Sequence, residues 1–185
     1  MSSMTVYLIT KNAGKTKAAE SVFNAYNIEI KSIDKEYPEI QADSSAVIAR
    51  YAAVQASAEF NAPVIREDHS LFIDALGFPG PYTSYIEKHL TAERLLYLLR
   101  DEENRGGYFE IAAVYAEPNG ATKEFVYQVP VYVKKDIVVE DERGGWNSIL
   151  CLKGETRAFT EYPEKERLHV WNKNYLHIAQ FLADN

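Results

Sequence analysis

The chain has 185 residues, 46% of them hydrophobic and 12% aromatic, and carries a net charge of −7 at pH 7. A chain of this size and composition buries roughly 70% of its unfolded surface, which excludes a disordered protein and any need for covalent staples. Its 20 Lys and Arg are dispersed, which argues against duplex nucleic acid or a membrane surface as partner, while a small anion needs only a few local cations.

Cys151 is the single cysteine, so an internal disulfide is impossible. No apolar run approaches the roughly 18 residues of a membrane span, and the N-terminus lacks a signal-peptide pattern. The expectation is a cytoplasmic protein forming one domain over residues 1–185.

Residues 4–10 form a short apolar, β-branched run, read as a buried first strand. The segment Asn12-Ala13-Gly14-Lys15 follows as a turn. Residues 15–26 place Ala18, Ala19, Val22, Phe23 and Tyr26 at helical spacing, and residues 28–33 alternate as a second strand. Ser44 or Ser45 caps a helix to about Phe60, with Val47, Ile48, Tyr51, Ala52 and Val54 on one face. Residues 64–67 form a strand ending on the acidic pair Glu67-Asp68. A Gly/Pro turn at 77–81 precedes helical patterns at 82–89 and 92–100. Residues 108–116, 123–129 and 131–139 read as successive strands of an antiparallel meander, and 173–182 as a closing helix. The fold class that follows is α/β, a mixed twisted sheet flanked by helices in two lobes with a central cleft.

Two features could carry chemistry. Backbone N–H groups at the start of the first helix, with Lys15, can converge on phosphates; a solvated first-turn lysine is the equal alternative. Gly14-Lys15-Thr16 looks like the end of a P-loop, but Ile9 stands where that motif has its first glycine. The second feature is acidic: Glu39 and the Glu67-Asp68 pair supply the hard oxygens that magnesium prefers, although with 27 acidic residues available ordinary surface acids are the commoner explanation. The four histidines show no zinc spacing, and no serine or cysteine sits in a nucleophile motif.

Taken in order, these segments resemble the inosine triphosphate pyrophosphatase family along nearly the whole chain. Thr10-Lys11-Asn12-Ala13-Gly14-Lys15 stands where the family has T-G-N-x-x-K, and Glu39 where it has an upstream glutamate. The stretch from Glu67 to Tyr82 follows E-D-[ST]-G-L-x-x-x-A-L-G-G-x-P-G-x-Y, one residue shorter between glycine and proline. Gly145-Trp146-Asn147-Ser148-Ile149-Leu150 is similar to G-W-D-x-x-F, and Phe159-Thr160-Glu161 with Glu164-Lys165 to a later aromatic–acidic run. Each motif is weak alone; their order and spacing carry the resemblance.

The resemblance implies a fold and a reaction: cleavage of a nucleoside triphosphate, typically of a deaminated purine, to the monophosphate and pyrophosphate. It implies magnesium as cofactor, a small-molecule nucleoside triphosphate as partner, and a homodimer. By position, Thr10, Asn12 and Lys15 hold phosphates, Glu39 and Asp68 bind the metal, and Asp68 also orients or deprotonates the attacking water. Lys165 touches substrate, and Trp146 encloses the base beside Asn147. The chain departs from the family at Lys11, at His69-Ser70, at Tyr51 (a lysine in relatives), at Asn147 (an aspartate), and in lacking a Ser-His-Arg run. His169 is the substitute available for that run. These departures predict an altered or broadened base preference; the alternative is a nucleotide-binding, regulatory homologue with weakened turnover. A pyrimidine-triphosphate pyrophosphatase of the related septum-formation-inhibitor type is argued against by the Ala75-to-Tyr82 segment.

Overall fold

The computed structural model describes residues 4–38, 40–137, 139 and 145–184. Strands β1 (Met4–Ile9), β2 (Ile28–Ile33), β3 (Val64–Ile73), β4 (Phe78–Gly80), β5 (Gly106–Ala116), β6 (Thr122–Val133) and β7 (Leu150–Leu152) order as β2-β1-β3-β5-β6-β7, with β4 on β3. The pairing is mixed: β1 runs parallel to β2 and β3, whereas β4 and β7 run antiparallel to β3 and β6. The helices are α1 (Ala13–Phe23), α2 (Ser45–Phe60), α3 (Thr83–His89), α4 (Ala92–Leu98), α5 (Leu168–Trp171) and α6 (Lys173–Ala183). No helix among the described residues is long and apolar enough to cross a membrane.

The chain divides into two compact units. Unit 1 comprises 1–68, 111–127 and 167–185; unit 2 comprises 69–110 and 128–166.

In unit 1 both sheet faces are covered, which is why residues 111–116 of β5 read as an unbroken apolar run. Ala113 and Tyr115 pack with Val22 and Phe23 of α1 and Tyr175 and Ile178 of α6. The alternate residues, Val114 and Ala116, meet Ala49 and Ala53 of α2, as the two-residue strand period requires. The buried face of α2 differs from the sequence expectation. It is built from Ser45, Ile48, Ala49, Ala52, Ala53, Ala56 and Ser57, while Val47 and Tyr51 are exposed. Small side chains let the helix lie close to the sheet, and Ser57 satisfies its hydroxyl on Val54 O at 3.0 Å and Glu117 O at 3.2 Å.

In unit 2 the buried Arg105 guanidinium donates to Leu99 O (2.6 Å), Val133 O (2.9 Å) and Lys134 O (2.6 Å), tying the end of α4 to β6. A Cβ on Gly107 would lie 2.3 Å from Phe72 O, so the approach of β5 to β3 admits no side chain there.

Two further expectations are corrected. Residues 122–133 form one continuous strand instead of breaking near Pro130. Pro130 is exposed, lies one residue before the β7 ladder at Val131, and still accepts from Lys153 N–H at 3.0 Å through its carbonyl. β3 does not stop at Glu67 but continues to Ile73, because β4 pairs with Leu71–Ile73 and extends the ladder.

Candidate active site

The first strand–helix junction is shaped by its own side chains. Thr10 Oγ1 accepts from Asn12 N–H at 3.0 Å. Asn12, in extended conformation, caps α1: its side-chain oxygen accepts from Gly14 N–H at 2.8 Å and from Lys15 N–H at 3.4 Å. The acceptor oxygen of Asn12 is therefore engaged within the turn. Lys11, which replaces the family glycine, is exposed and donates to Glu36 at 2.9 Å, with Asp34 at 3.4 Å. The Glu36 hydrogen bond, with help from Asp34, raises its ammonium pKa above the ordinary value. Lys11 is thus held at the surface by Glu36 and Asp34.

Lys15 points the other way. Its Nζ donates to the backbone carbonyl of Glu67 at 2.8 Å and lies 3.9 Å from Glu67 Oε1. Arg66 adds a second tie at this junction, its Nη1 donating to Ile9 O at the end of β1 at 3.0 Å. Because β3 continues through the acidic pair, Glu67 and Asp68 point to opposite sides of the strand. Glu67 is 2% exposed. Burial and then the Glu67 charge push the Tyr127 and Tyr175 phenols well above their ordinary values; Tyr127 donates to Val170 O at 2.7 Å. Asp68 is half-buried, with Oδ2 shielded from solvent.

Unit 1 thus brings Thr10, Asn12, Lys15 and the Glu67-Asp68 segment together. Glu39 lies outside the described residues. His169 also belongs to unit 1, exposed on α5.

Trp146, Asn147 and Lys165 belong to unit 2. Trp146 is 1% exposed, with its indole N–H on Leu90 O at 2.8 Å and its backbone N–H on Glu87 Oε1 at 2.8 Å. The indole N–H thereby ties the ring to the C-terminal end of α3. Asn147 is half-buried in the same short turn, and Lys165 is exposed.

Among the described residues no three His, Cys, Asp or Glu side chains cluster closely enough to hold an ion. The donor chemistry available beside Lys15 is carboxylate oxygen, which fits a hard cation that takes one or two carboxylates and completes its shell with phosphate oxygens and water. The sequence reading grouped Glu67 with Asp68; within Arg66-Glu67-Asp68-His69 nothing in the pattern marks Glu67 as the buried one.

The chain matches the sequence profile of the Ham1 family over residues 6–174. It is 36% identical over 172 residues to the dITP/XTP pyrophosphatase of Methanopyrus kandleri, covering 90% of this chain and 89% of the relative. To the dITP/XTP pyrophosphatase of Ignicoccus hospitalis it is 35% identical over 190 residues, with 99% of each covered. Among solved structures, a HAM1 protein from Coxiella burnetii is similar with a TM-score of 0.78 at 18% identity, covering 98% of this chain and 100% of that one. At that identity the likeness speaks to the fold.

Proposed function

The chain belongs to the Ham1 family, and on that premise we propose that it hydrolyses nucleoside or deoxynucleoside triphosphates to the monophosphate and pyrophosphate. The observation that carries the reading is the Lys15 Nζ contact to Glu67 O at 2.8 Å. It joins the capped phosphate-type turn to the strand segment that bears Asp68.

The proposed division of labour follows. The start of α1 offers N–H groups and positive dipole to the triphosphate, Thr10 and Asn12 shape that turn, and Lys15 supplies a fixed cation. Asp68 accepts the proton of the attacking water as its oxygen bonds to phosphorus and the bond to the pyrophosphate oxygen breaks. A bound magnesium, held by Asp68 and by Glu39 as the family resemblance implies, would neutralise phosphate charge. In unit 2, Trp146, Asn147 and Lys165 are proposed substrate contacts, Trp146 helping to enclose the base; in unit 1, His169 is proposed to stand in for the missing Ser-His-Arg run. A neutral Asn147 offers both donor and acceptor, which suits a broadened base preference. A homodimer and a cytoplasmic location complete the proposal, the latter in keeping with a single cysteine.

The test is pyrophosphate release from a panel of purine and pyrimidine triphosphates with and without magnesium. Release of orthophosphate in place of pyrophosphate, or no turnover of any triphosphate, would overturn the reading.

A further inference from the structure

We propose that Glu67 is a positioning residue that anchors Lys15 for triphosphate binding; the inference rests on the phosphate-site reading of Lys15 given above. A lysine ammonium rides on a flexible four-carbon stem and loses rotamer freedom when held. Here one residue holds it twice, through the Glu67 carbonyl at 2.8 Å and the Glu67 carboxylate at 3.9 Å. The side chains are 18% exposed for Lys15 and 1% for Glu67. A carboxylate so deeply buried is sustained only with cationic or hydrogen-bonding company, and in a medium of low dielectric its pull on the ammonium is strong.

The geometry separates this role from those of its neighbour. Asp68 is half-buried, whereas Glu67 faces the interior of unit 1 beside Tyr127 and Tyr175. Glu67 does not touch substrate. It acts through Lys15, keeping the cation beside the capped turn so that little ordering remains to be done when phosphates arrive.

The experiment compares wild type, Glu67→Gln, Lys15→Ala and the double variant. Two quantities are read: the rate at which each lysine is acylated in the folded protein, and the affinity for an α,β-methylene nucleoside triphosphate. Glu67→Gln keeps the shape and removes the charge. Lys15 should then label several-fold faster while exposed Lys11 is unchanged, and analogue affinity should fall about tenfold, with the Gln effect shrinking to under about twofold in the Lys15→Ala background. Should Glu67→Gln not fold, Glu67→Asp withdraws the charge by one methylene and should move both readouts the same way, less far.

Lys15 labelling unmoved by the substitution overturns the anchor. So does unchanged or increased analogue affinity, or an equal loss in both backgrounds. A Lys15→Ala protein that binds the analogue as wild type does would sink the phosphate-site reading itself, an outcome distinct from failure of the anchor.

Discussion

The side-chain oxygen of Asn12 accepts from the Gly14 backbone N–H at 2.8 Å, so the residue proposed to hold phosphates is also the cap of helix α1. Asn12→Ala removes the cap and should lower stability by about 1 kcal/mol. Asn12→Asp keeps an acceptor and hence stability, but places an anion at the turn, and should raise the KM for a triphosphate by about tenfold or more. Paired thermal melts and steady-state kinetics check this; an Asp variant with wild-type KM would move the phosphates elsewhere.

Asp68→Asn should reduce pyrophosphate release by at least about a hundredfold, the range of a lost general base, with a thermal midpoint close to that of wild type. Asp68 is half-buried and its replacement is isosteric. Near-normal turnover would remove Asp68 from the chemistry.

Gly107→Ala tests the β3–β5 approach. The new Cβ would sit 2.3 Å from Phe72 O and 3.2 Å from Ile73 Cα, both backbone atoms that cannot swing aside. A loss of about 1–3 kcal/mol is expected, read as a drop of about 2–4 °C in Tm per kcal/mol. An unchanged melt would show that the strands part at no cost.

The alkaline limb of stability should depend on buried phenols. Tyr115 is 3% exposed, and burial, then the Glu117 charge, pushes it from 10.0 up to about 12. Since the folded value exceeds the unfolded one, its stabilisation is complete below pH 10.0 and is lost as pH rises through about 12. Tm measured across that window should fall, and Tyr115→Phe should flatten part of the fall. A variant with the wild-type pH slope would exclude Tyr115 as a contributor.

Base selectivity should be modest. The chain carries Asn147 where the family has an aspartate, and Leu168-His169-Val170 where it has Ser-His-Arg; His169 is exposed. Discrimination comes from site groups left unpaired by the wrong base, and fewer fixed donors leave less to penalise. The kcat/KM ratio for inosine over adenosine or guanosine triphosphate is expected below roughly a hundredfold, or about 2.7 kcal/mol. A preference in the thousands would mean that other groups rebuild the missing contacts.

Local chemistry was legible in the chain. A serine cap of α2 (Ser44 or Ser45 by sequence, Ser44 in the structure), the Asn12 turn, β1, β2 and the closing helix follow from short-range preferences that hold wherever the segment lies, and ordered motifs identified the family. Choices between equivalent local options needed the tertiary structure. Either the Val47/Tyr51 face or the Ala49/Ala53 face of α2 could have been buried by pattern alone; the small residues won because both must fit closely under Val114 and Ala116. Pro130 signals a break, yet β6 runs through it, its carbonyl accepting from Lys153 N–H at 3.0 Å just beyond the β7 ladder. Glu67 and Asp68 are chemically alike and adjacent. Only the continuation of β3 past them, paired with β4, sends one carboxylate inward to Lys15 and leaves the other half-buried on the opposite side of the strand.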